Sequence, residues 1–162
     1  MGSFITGAAS YFWLFCVISL ILAMFLTAGK SSRFTLLIWV IAVLVMDKLA
    51  PMILQMSDQY LARNLWYLTW IVIDTIALAV IVITHSSNKW VVEPLTKYIA
   101  LCMVASASLQ AARYFDRIIF QTDLLASIYK YGVPAINIAV VLAVGLWIFS
   151  LLSYKIKEAY QC

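Results

Sequence analysis

Asp47, Lys48, Asp74, Arg113, Asp116 and Arg117 all fall inside or at the ends of long apolar stretches. A charge at the centre of a lipid-spanning helix costs roughly 2.5–3.5 kcal/mol and usually faces other helices or a water-filled cavity. Their depths can be compared at 1.5 Å of rise per residue. Asp47 is expected about 14 Å before the end of its helix, and Asp74 about 14 Å after the start of the next, at the same face. Arg113 is expected about 10 Å from that face on a third helix. Two carboxylates and a guanidinium thus approach one layer, and three chemistries suit such a cluster. It could be a structural ion-pair network, the wall of an ion or proton path, or a socket for a charged group of a partner. A proteolytic aspartate dyad is disfavoured, because Arg113 and Lys48 would hold both carboxyls ionised while a dyad must share a proton.

The helix bearing Arg113 carries a polar stripe. Ser106, Gln110, Arg113, Arg117 and Gln121 recur at spacings of 4, 3, 4 and 4, which is one helical face. Such a stripe is expected to meet neighbouring helices, water or a partner chain. In the helix of Asp47, Pro51 lacks an N–H, so the Asp47 carbonyl loses its partner and a kink is expected there.

Other chemistries have little to build on. The only histidine is His85, expected to interact with the last carbonyls of its helix, and Asn137 is expected to hydrogen-bond between helices. Cys16, Cys102 and Cys162 form no CxxC pair, so neither a disulfide framework nor a zinc site is drawn from them. Cys16 and Cys102 are expected as buried apolar side chains. No catalytic residue, metal or cofactor is assigned, and an enzyme is the least favoured class.

The elements that position these residues follow from composition. Of 162 residues, 65% are hydrophobic and 11% charged, with a mean hydropathy of +1.00. A water-soluble domain of this size needs more polar surface, whereas about 20 apolar residues cross a bilayer as helix. The chain is therefore read as all-α, a single polytopic transmembrane bundle with five spans at about 11–28, 34–56, 65–84, 98–120 and 133–154. Four spans are the alternative, since only 15 apolar residues separate 98 from Arg113.

Cations in the short loops set the direction. With the N-terminus outside and the C-terminus cytoplasmic, Lys30, Arg33, Lys89, Lys97, Lys155 and Lys157 lie inside. Arg63 and Lys130 lie outside, with Arg117 if the fourth helix ends early. The N-terminal decapeptide has no Lys or Arg, so the first run is expected to be a retained helix rather than a signal peptide. The net charge of +4 fits this loop bias rather than nucleic-acid binding.

The expected function is that of a small integral protein of a cell membrane, a bacterial inner membrane, acting by binding another membrane protein. Accessory, assembly, regulatory and immunity or exclusion-type subunits have this build. The alternative is a homo-oligomeric channel with the fourth-helix stripe lining its axis. Expected partners are membrane lipid and either another membrane protein or copies of the chain.

Overall fold

Each reversal of the chain carries its own stop and start signals. In the computed structural model, which describes residues 14–15, 17–26 and 28–160, α1 spans Lys30–Leu54 and α2 spans Gln59–Asn88. The Asp58 side chain caps α2, accepting from the backbone N–H of Tyr60 (2.9 Å) and Leu61 (3.1 Å). α2 ends on Lys89 in the left-handed region (φ 52°), and the Trp90 N–H returns to the His85 carbonyl at 3.0 Å. Glu93 then stands at the N-cap of α3 (Pro94–Tyr114), with Pro94 in its first turn, where a missing N–H costs nothing. The Glu93–Pro94 pair is thus a helix start.

α3 passes into a π-helical turn, Phe115–Ile119, and the chain reverses through Gln121 (φ 52°) into α4, Ala126–Tyr160. Residues 14–15 and 17–25 are helical too, and Ala23 and Ala28 pack into the main apolar core. There is no strand among the described residues. Four helical stretches, Lys30–Leu54, Gln59–Asn88, Pro94–Ile119 and Ala126–Glu158, are long and apolar enough to cross a membrane. The expected first span, 11–28, and Cys16 and Cys162 lie partly or wholly outside the described residues.

The helices run beyond the apolar runs that announce them. Polar ends such as residues 85–88 and 126–132 continue as helix, because backbone hydrogen bonding does not stop where hydropathy does. Pro134, second in the apolar run 133–154, therefore lies eight residues inside α4. Pro51 lies in the last turn of α1, which continues as one α-helix to Leu54, and the Pro51 carbonyl accepts from Gln55 N–H at 3.0 Å.

α3 is the central helix: it packs on α2, α4 and α1, and α1 packs on α2. The core at their crossing holds Leu36, Trp39, Ile81, Ile99, Met103, Val140 and Val144. Ala42 and Ala77 lie in the same core and are small enough for α1 and α2 to approach closely. Outward-facing positions are just as apolar, including Ile41, Val72, Ile76, Ile83, Leu142, Leu146 and Phe149. An apolar exterior around a partly polar centre is the surface of a membrane-embedded protein.

Candidate functional site

Asp74, the sixteenth residue of the 30 in α2, is 7% exposed, and its Oδ2 is buried without a hydrogen-bond partner. Across the interface the Ser106 side chain of α3 meets it. Asp74 and Ser106 border a cavity of about 20 Å³ with Asn137 of α4, between Trp39, Trp70, Met103 and Val140. A wider opening of about 180 Å³ shares Trp39, Val43, Trp70 and Asn137 with it and carries Asp47 on its wall. Asp47 and Lys48 are exposed, and neither has an ion-pair partner among the described residues. The two aspartates thus flank one aromatic wall, as their depths suggested.

Arg113 does not join them. It pairs with Asp116, three residues on, and with Asp123, whose Oδ1 lies 2.5 Å from Nη2. Arg117 reaches the same Asp123 oxygen at 3.2 Å. The expectation of a bridge from Asp47 or Asp74 to Arg113 is corrected by the reversal after the π-helical turn, which folds Asp123 back over the end of α3. The Arg113 hydrogen bond, then the charges of Arg117 and Arg113, hold the Asp123 carboxyl below the usual carboxylate range. Asp116, buried, also accepts from the N–H groups of Leu124 (3.2 Å) and Leu125 (3.1 Å) and from the Thr122 hydroxyl (2.5 Å). One carboxylate therefore joins the end of α3 to the start of α4.

The polar stripe faces inward over most of its length. Gln110 and Arg113 are buried, Ser106 and Arg117 half-buried, and Gln121 exposed. Gln110 Oε1 accepts from the Tyr129 hydroxyl (2.9 Å), which accepts in turn from Trp66 Nε1–H (3.0 Å). The Tyr67 ring meets Tyr129 edge-on at 5.6 Å. The stripe is thus engaged by α2, α4 and the reversal between α3 and α4, although Gln110 Nε2 and Arg113 Nε are buried without a hydrogen-bond partner.

A second polar cluster, unforeseen from spacing, closes the opposite end. His85 Nδ1 lies 2.7 Å from the Ile81 carbonyl, which can only accept, so this nitrogen carries the proton. Its Nε2 then accepts from the Ser31 hydroxyl at 2.8 Å. Ser31 accepts from Thr96 (2.8 Å) and from Glu93 N–H (3.3 Å), and Thr96 accepts from Thr35 (3.1 Å). Ser32 donates to the Glu93 carboxylate. A serine against a histidine nitrogen is the pairing of a nucleophile with its base. Here Ser31 is 2% exposed and its lone pairs are occupied, which makes the cluster an interlock of α1, α2 and α3. The signal was a row of small hydroxyls, Ser31, Ser32 and Thr35, at the start of an apolar helix.

Among the described residues no group of three or more His, Cys, Asp or Glu side chains is placed to hold a metal ion. No protein-family model, curated protein or solved structure matches the chain.

Proposed function

We propose that this chain is a five-span inner-membrane protein, N-terminus outside and C-terminus cytoplasmic, which acts as an accessory or regulatory subunit by binding another membrane protein. The supporting observation is the uncompensated pair Asp47–Lys48. Both are exposed on the otherwise apolar stretch 36–54 of α1, and no described residue neutralises either. Lys48 continues the exposed row Leu37, Ile41, Val45 and Met52 at helical spacing. Lipid tails cannot solvate such charges, whereas a partner helix with complementary polar groups can. The channel reading is weakened by the polar stripe of α3: Gln110 Oε1 and the Arg113 guanidinium are engaged within one protomer and give a shared axis little polar lining.

Site-specific photo-crosslinking in native membranes tests the proposal. A crosslinker at Val45 or Met52 is expected to give an adduct of protein mass that disappears with Asp47→Asn/Lys48→Gln. The same group at Leu146 on α4 is expected to give lipid adducts alone. Lipid adducts alone from all three positions would remove the reading.

A further inference from the structure

The centre of the bundle holds a carboxylate that no basic group among the described residues neutralises. Asp74 lies midway along α2, more than nine-tenths buried, with Oδ2 unpartnered. Arg113, the nearest candidate counter-charge by depth, is engaged by Asp116 and Asp123. An ionised carboxylate left alone at that depth is strongly unfavourable, so it must lose its charge or gain a cation.

The cavity beside it supplies what a cation needs. Asp74, Ser106 and Asn137 line, from three helices, a space of about 20 Å³, and each is a residue type that can offer an oxygen to a cation. One water-sized sphere needs about 10–15 Å³, so the cavity accepts a single small particle. Oxygen donors suit hard cations. A single carboxylate lines the cavity and balances one positive charge, so a divalent calcium or magnesium ion would stay under-neutralised at that depth. An alkylammonium group is too bulky for it.

The approach has matching chemistry. The 180 Å³ opening that adjoins the cavity has Asp47 on its wall, and Trp39, Trp70 and Asn137 belong to both spaces. Carboxylates and indole faces both attract cations, and no Lys or Arg lines either space.

We infer that the Asp74–Ser106–Asn137 cavity binds one monovalent alkali cation, sodium by size, entered past Asp47 between Trp39 and Trp70. Binding ties α2, α3 and α4 at their crossing and stabilises the folded bundle. Asp47 belongs to the proposed partner face as well, but Asp74, Ser106 and Asn137 do not, and the purified chain alone suffices to test them.

The test uses the full chain purified in detergent at about pH 8, where an ordinary carboxylate is ionised. Sodium chloride is titrated in at constant ionic strength against choline chloride. Thermal stability and tryptophan fluorescence are expected to change saturably with one midpoint. The gain in Tm is expected to be about 3 °C at roughly tenfold excess over that midpoint. Asp74→Asn is expected to abolish both responses, and Ser106→Ala and Asp47→Asn to move the midpoint severalfold higher. Sodium acting no differently from choline would overturn the site, as would a sodium response retained in Asp74→Asn. A wild type that responds to pH but not to sodium would make Asp74 a proton site and also overturn it. Should Asp74→Asn fail to fold, an unmoved midpoint in Ser106→Ala would do the same.

Discussion

Arg113 and Asp123 stand ten residues apart in the chain, yet the guanidinium Nη2 and the carboxylate Oδ1 meet at 2.5 Å. The contact closes the reversal between α3 and α4, and Arg113 bridges from Asp123 to the buried Asp116. Its two partners differ sharply in setting. Asp116 is buried, whereas the Asp123 side chain is 59% exposed.

That difference sets the expected mutational costs. Arg113→Leu removes the counter-charge of Asp116 but leaves its bonds from Thr122, Leu124 and Leu125, and is expected to be clearly destabilising. Asp123→Ala removes an exposed, solvent-screened partner and is expected to cost much less. A double-mutant cycle by denaturant unfolding should find coupling for Arg113 with Asp123 and near-additivity for Arg113 with Asp74. Coupling in the second cycle and none in the first would contradict the geometry.

Acid should loosen the same reversal. The Asp123 carboxyl is held below its usual 3.8 by the Arg113 hydrogen bond and the charges of Arg117 and Arg113. A depressed folded value means that the folded state binds fewer protons than the unfolded one. The contribution is complete above about pH 4 and is lost as pH falls through the lowered folded value. Tm measured from neutral pH into acid should fall below pH 4 less steeply in Asp123→Asn than in the wild type. Parallel acid limbs would show that Asp123 contributes nothing there.

At the other end, Ser31→Ala removes the donor to His85 and the acceptor for Thr96 and Glu93 N–H together. The expected loss is about 1–3 kcal/mol, the cost of buried polar groups left unpaired. Gly29→Ala is expected to cost less, because its Cβ displaces only the flexible Glu93 carboxylate, at the loss of the bond from Ser32. Thermal unfolding of both variants checks this. A neutral Ser31→Ala would mean that water replaces the hydroxyl without cost.

For orientation, a cysteine at Ser57, in the turn between α1 and α2, is expected to react with a membrane-impermeant reagent from outside. One at Ser87, near the end of α2, is expected to react only after lysis. The reverse pattern would invert the proposed topology.

Much of the architecture is legible in the sequence, because apolar runs near 20 residues have one economical solution in a membrane. Depth along a helix is legible too, which is why Asp47 and Asp74 are found beside the same tryptophans. Rotation about the axis and the path of a reversal are not. The partner of Arg113 depends on a π-helical turn that shifts the helical phase at Phe115–Ile119 and on a left-handed Gln121. No 3.6-residue pattern announces either. The Ser31–His85–Thr96 cluster was hidden for a related reason: its members come from three helix ends, and each alone looks like an ordinary polar terminus.

The central position of α3 also dictates timing during synthesis. Gln110 receives its hydrogen bond from Tyr129, and Arg113 its second carboxylate from Asp123, both of which follow α3 in the chain. While the ribosome has yet to deliver those residues, a nascent α3 carries an unsatisfied amide and a half-matched guanidinium into the translocon. Insertion of α3 and the start of α4 together, as a hairpin, would supply both partners at once.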